Sequence, residues 1–222
     1  MTDIDDLLAE ISTNLAPAIV PGMNSALAAS DLYEAYSLTL LKEAAETESG
    51  VVTFSDRSGN QTNTLVFRTS PGNIFSTAAN YTHAVVAFPG QPLLEAHIGI
   101  KIQGRSGVLH ECDVVVLRSA EAETCRQNAV HPRSHSVILA TECKFYTGSI
   151  PLYLARAFMG LGSDISTDNC YFVTNSESGS AERLLAHHHR NWEHRIVPRL
   201  GMDVTRLRNQ FQKAFKNFIA LS

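Results

Sequence analysis

The chain has 222 residues, of which 44% are hydrophobic and 18% charged, with a net charge of −4. That is enough chain for one domain with a substantial core, and the composition excludes a low-complexity, fibrous or disordered protein. No apolar stretch approaches the roughly 20 residues of a membrane helix, and the N-terminus MTDIDDLLAE is acidic where a signal peptide is basic, so a cytoplasmic protein with no membrane partner is expected.

Charge is unevenly distributed. Residues 1–50 carry net −8 and residues 181–222 net +5, which makes the C-terminal segment the better place for a polyanion. Cys112, Cys125, Cys143 and Cys170 are spaced by 13, 18 and 27 residues, matching neither a zinc pattern nor a small disulfide scaffold. They read as reduced thiols in or near the core.

In chain order, DIDDLLAEISTNLA predicts a short amphipathic helix ending near Pro17 and Pro21, within an N-terminal helical region 1–20. SDLYEAYSLTLLKEAAETESG predicts a strong helix, capped by Ser30 or Asp31 and followed by Gly50. VVTFS and TLVFRTS, flanking DRSGNQ, predict a hairpin. HAVVAF is a further strand, stopped by PGQP. LLEAHIGIKI and VLHECDVVVL predict a second hairpin across GRSG.

Residues 118–135 are polar and read as an irregular connection with one helical turn, looping out to shape a substrate cleft. SVILATECKFY is a strand, SIPLYLARAFMGLG a helix, CYFVTN a short buried strand and SAERLLAHHHRNWEHRIVP a long helix from about Ser180. Val204, Leu207, Phe211, Phe215 and Phe218 form one stripe of a closing amphipathic helix over 203–221. A single α/β domain with a mixed sheet follows from this order.

Two strands carry charge where a core strand should not. Glu142 and Lys144 stand two apart after an aliphatic run, on the same face by alternation, and Asp113 interrupts VLHECDVVVL with Glu111 on its face. Such groups are costly in a core unless a partner, a metal or a chemical task compensates them. If the strands are neighbours, Asp113 and Glu142, with the carbonyl of Cys143, form a hard-oxygen site suited to Mg²⁺ or Mn²⁺. Lys144 would then orient or deprotonate water, the first as an electrostatic clamp and the second with a depressed pKa.

Asp113 on one strand and Glu142-Cys143-Lys144 on the next resemble the PD-(D/E)XK, or restriction-endonuclease-like, nuclease superfamily over roughly residues 30–198. The order of helix, Asp-bearing hairpin, ExK strand, helix, strand and helix is similar too. The resemblance implies a restriction-endonuclease-like mixed sheet flanked by helices and Mg²⁺-dependent hydrolysis of phosphodiester bonds, in DNA more often than RNA. It also implies a prokaryotic defence, repair or mobile-element setting. Asp113, Glu142 and Cys143 would be the metal ligands, and Asp113, Glu142, Lys144 and Glu34 the catalytic group. Glu34 enters because many members carry a helical glutamate, and here it shares a stripe with Leu38, Leu41 and Ala45. The expected partner is nucleic acid, with a homodimer or a partner protein of a larger system as the assembly. Cys112 stands where the motif name has proline.

Other readings stand beside these. Glu111 is an exposed lysine partner or a ligand, and His110 is structural or touches a phosphate. His187, His188 and His189 point about 100° apart on a helix and cannot share one ion. Arg195, Arg199, Arg206, Arg208, Lys213 and Lys216 either grip phosphates or form the polar side of packed helices. Phosphate-loop, dinucleotide-loop, HExxH and GxSxG signatures are missing. The alternatives are an RNA-cleaving nuclease and a non-catalytic nucleic-acid-binding or scaffold protein of the same fold.

Overall fold

The computed structural model describes residues 3–15, 24 and 28–221. One seven-stranded sheet, in sequential order, organises the chain: β1 (Val51–Asp56), β2 (Thr82–Ala87), β3 (Leu94–Gln103), β4 (Leu109–Arg118), β5 (Val137–Lys144), β6 (Cys170–Thr174) and β7 (Asn191–Glu193). β1 to β5 pair antiparallel, whereas β5, β6 and β7 are parallel and need helical crossovers. The sheet is therefore mixed, as expected.

Helices cover both faces. α1 (Asp3–Asn14), α2 (Ala29–Thr47) and α6 (Gly201–Leu221) enclose one core with Leu32, Leu41, Val114, Val116 and Leu139. α3 (Ser119–Asn128), α4 (Leu152–Asp164) and α5 (Gly179–His187) enclose the other, where Phe158 stacks on Phe172 at 5.3 Å. The stripe expected on α6 is buried as Val204, Leu207, Phe211, Phe215 and Phe218. All four cysteines are free and buried. Among the described residues no helix is long and apolar enough to cross a membrane.

Four local expectations are corrected. TLVFRTS does not pair with β1. Asp56 accepts backbone N–H groups of Ser58 (2.8 Å) and Asn60 (3.0 Å) to make the turn, but the hairpin stops after one bridge, Ser55 to Gln61. Thr62 turns the chain by binding Thr64 N–H at 3.0 Å, and Val66 spends its N–H on the Thr82 hydroxyl at 2.7 Å. The partner of β1 is β2, whose uninterrupted backbone supplies a full ladder.

α2 begins after Ala28, with neither Ser30 nor Asp31 as cap; Gly50 does follow its end, where Ser49 takes a positive φ (63°). The segment 118–135 is an ordered helix, α3, followed by a 3₁₀ turn over Ser134–Ser136. It joins the end of β4 at Arg118 to the start of β5 at Val137, about five residues or roughly 16 Å of strand from Asp113, so it does not shape a cleft at that residue. The long helix from Ser180 stops at His187. His189 takes φ 52° and the Arg190 N–H closes on Leu185 O at 2.9 Å, which frees the chain to run as β7. Of the N-terminal region 1–20, the helix covers Asp3–Asn14, and Pro17 and Pro21 lie outside the described residues.

Candidate functional site

Asp113 sits where two strands change faces. Ile98 pairs with Val114 and Ile100 with Cys112, which leaves Gly99 opposite Asp113, and Gly99 has φ 60°. Residues two apart on a regular strand share a face. Here Ile98 and Val114 join the core under α2, whereas Ile100 and Cys112 join the opposite core. The positive φ at Gly99, open to glycine at little cost, marks this switch.

Continuing the β4–β5 register from Val114 opposite Thr141 places Asp113 beside Glu142. Asp113 Oδ2 accepts the backbone N–H of Cys143 at 2.7 Å and Lys144 Nζ at 3.0 Å. Lys144 Nζ also reaches Glu142 Oε1 at 2.8 Å. One ammonium thus bridges two carboxylates, and Asp113 is 4% exposed. α2 brings Glu34 to the same place, where it feels the charges of Asp113, Lys144, Asp31 and Glu111.

The electrostatics follow from several acids facing one base. Burial and the Asp113 charge push the Glu34 carboxyl up to about 9, against the opposing pull of Lys144. The same two causes push Glu142 up to about 7. Burial disfavours the Lys144 ammonium, but Asp113 and Glu142 outweigh it and its pKa is raised. Lys144 therefore stays charged and bridges the two carboxylates.

The arrangement has a surplus of oxygen donors over cations, in a partly dehydrated setting. Asp113 and Glu142 are hard ligands adjacent across the ladder, and the Cys143 carbonyl follows on the same strand end. Two carboxyls held protonated near neutrality are what a divalent cation would displace protons from.

The other candidates resolve differently. Glu111 is exposed and lies across the ladder from Lys101. His110 Nε2 binds Asp164 at 2.7 Å, and Asp164 also accepts the Ser106 N–H at 2.8 Å, so this group ties the β3–β4 turn to α4. His187, His188 and His189 straddle a helix end. Of the C-terminal cations, Arg195 pairs with Asp203 (3.5 Å), Arg199 with Asp3, Arg206 with Glu193 (2.6 Å), Arg208 with Glu43 (2.6 Å) and Lys216 with Glu48 (3.4 Å). Lys213 faces solvent. Arg199, Arg208 and Lys216 thus join the basic C-terminal segment to the acidic N-terminal one, whereas Arg195 and Arg206 pair within the C-terminal segment.

A second buried polar cluster escaped the sequence reading. His83 on β2 and Glu95 and His97 on β3 are each no more than 2% exposed, and their ligand atoms lie within 4.8 Å of one another, so the group could hold a metal ion. Glu95 is gripped by Arg126 from α3 through two 2.8 Å bonds and by the Ser119 hydroxyl at 2.8 Å. His97 Nε2 is 2.9 Å and His83 Nε2 3.4 Å from Glu95 Oε2. Burial keeps both imidazoles neutral, lowering His83 to about 3, while Arg126 and His97 hold Glu95 ionised despite its burial.

Because Arg126 already neutralises Glu95, a divalent ion there would add charge that no other carboxylate in the triad balances. A signal for the triad did exist, since Glu95-Ala-His97 inside LLEAHIGIKI repeats the alternating polar pair of Glu142-Cys143-Lys144.

Comparisons of this chain with protein-family models, curated proteins and solved structures found no match.

Proposed function

We propose that this protein is a metal-dependent nuclease with a restriction-endonuclease-like fold, hydrolysing phosphodiester bonds in DNA. The observation that carries the reading is the bridge of Lys144 between Asp113 and Glu142, at 3.0 and 2.8 Å, with Glu34 facing it from α2. The order of elements supports it: α2, the hairpin β3–β4 with Asp113, β5 with Glu142 and Lys144, α4, parallel β6 and α5.

Asp113, Glu142 and the Cys143 carbonyl would hold Mg²⁺ or Mn²⁺, which when bound supplies Lewis-acid polarisation of the phosphate and a more acidic water. Lys144 Nζ, fixed by two carboxylates, positions a phosphate oxygen or the attacking water and offsets the charge that develops on the phosphorus centre. Glu34, whose carboxyl is pushed up to about 9 by burial and the Asp113 charge, holds its proton at neutral pH and would orient the attacking water by a hydrogen bond. Asp113 positions Cys143 through its N–H, which fixes the end of β5.

Cleavage of linear and circular plasmid DNA, with RNA alongside, in Mg²⁺, Mn²⁺ and EDTA tests the proposal. Metal-dependent cutting that is lost in Lys144→Ala and Asp113→Ala is the expected result. No cutting of any polymer, together with no Asp113-dependent divalent binding by calorimetry, would overturn it and leave a non-catalytic binding protein as the better account.

A further inference from the structure

The carboxyl ends of the parallel strands β5 and β6 open onto a cleft of about 420 Å³ lined by Phe145, Tyr146, Thr147, Asn175, Ser176 and Arg199, with Asp3 and Ile4 of α1 on its rim. In open α/β sheets this end of the strands is where ligands bind, and the volume is that of an ordinary small-molecule or nucleotide site. The cleft begins immediately after Lys144, so it continues the carboxylate site along the chain.

Its walls are aromatic and polar. Asn175 braces Tyr146 by accepting its N–H at 2.8 Å and donating to its carbonyl at 2.8 Å, which fixes the backbone that presents the ring. The Tyr146 hydroxyl meets that of Tyr153, on the first turn of α4, at 3.3 Å, and Tyr153 is 60% exposed. Phe145, by contrast, turns inward against Tyr33 with ring centroids 5.6 Å apart. Tyr146 thus lines the cleft, with Tyr153 joined to it through the hydroxyls, while Phe145 packs towards the core.

The basic side chains tell the same way. Duplex binding relies on rows of free Lys and Arg along two phosphate backbones. Of the six C-terminal cations that might have formed them, five are paired with acids, and the one that lines the cleft, Arg199, is 59% exposed and bound to Asp3 on the rim. Single strands need less charge, because unstacked bases lie on aromatic faces and one or two cations track the backbone.

Resting on the nuclease reading above, we propose that the substrate is a single-stranded nucleic acid, with a base stacked on the Tyr146–Tyr153 pair and a neighbouring phosphate exchanging with Asp3 for Arg199. The geometry accounts for an exposed Tyr153 held against Tyr146, which core packing does not need.

The test is fluorescence anisotropy of a labelled deoxyoligonucleotide, single-stranded or annealed to its complement, in Ca²⁺ and in EDTA so that cutting does not intervene. The intact protein should favour the single strand at least tenfold. Tyr153→Ala should weaken single-strand binding about tenfold, Tyr153→Phe should restore it, and Arg199→Gln should flatten its dependence on salt. Equal affinity for the two forms, or a Tyr153→Ala protein that binds as tightly as the parent, overturns the proposal. If neither oligonucleotide binds but calorimetry still finds Asp113-dependent divalent binding, the platform is wrong while the nuclease reading survives. Loss of both would end the two together. Tyr153 is a surface residue, so its variants should keep the parental melting temperature.

Discussion

At the residue scale the decisive feature is the imbalance of four acids, Glu34, Glu111, Asp113 and Glu142, around Lys144. Removing the ammonium in Lys144→Ala leaves two partly buried carboxylates facing each other, which should lower stability by about 3 kcal/mol in EDTA. Added Mg²⁺ should return part of that, and urea denaturation in the two conditions measures both. Proton linkage has a definite sign here. Glu34 and Glu142 have folded values of about 9 and about 7, above the ordinary glutamate value of 4.5, so the folded state holds more protons than the unfolded one across that window. Their contribution to stability is complete below about pH 4.5 and is lost as pH rises towards 9. The metal-free melting temperature of Glu34→Gln should therefore fall less between pH 6 and pH 9 than that of the parent. Divalent binding should strengthen over the same range with release of protons, which calorimetry in buffers of different ionisation enthalpy detects.

At the element scale Gly99 connects the fold to the site. An added Cβ would meet Arg68 Cβ and Ser70 O at 3.5 Å, ordinary contact, so the penalty of Gly99→Ala lies in the φ of 60°. That penalty is about 1 kcal/mol. Because Gly99 lies opposite Asp113, the same substitution should also weaken divalent binding, whereas a purely local strain would leave the binding isotherm unchanged. Buried Glu95 poses a different problem. Arg126→Ala strands an ionised carboxylate between two neutral imidazoles, and a loss of about 3 kcal/mol is expected in chemical denaturation, with partial recovery in the Glu95→Gln, Arg126→Ala double variant.

For the whole molecule, the charge asymmetry between the ends of the sequence is a folding device. α6 lays Arg208 on Glu43 and Lys216 on Glu48 of the α2 region, while Arg199 meets Asp3 of α1. These pairs are partly solvated, so each contributes well under the apolar stripe beneath them. A double-mutant cycle on Glu43 and Arg208 should return less than about 1 kcal/mol, shrinking in high salt, whereas Phe215→Ala should remove 3–5 kcal/mol from the core under α6. The charge pairing guides which helices meet, and the phenylalanines hold them there.

Periodicity made most elements readable: the stripe of α6, the hairpin β3–β4, the helix α4 and the short strand β6 all express a local pattern of apolar residues. The sequence by itself also marked Asp113, Glu142, Lys144 and Glu34, because a charge inside an apolar strand or on an apolar helix face is visible without knowing its neighbours. What only the tertiary structure decided depends on partners distant in the chain. β1 pairs with β2 rather than TLVFRTS because ladder partners compete globally, and Lys144 stays charged because Asp113, 31 residues away, faces it. His83, Glu95 and Arg126 form one buried network only when β2, β3 and α3 close on each other. A pattern along the chain records which face a residue wants; the balance of burial against charge that sets its chemistry exists only after the chain has folded.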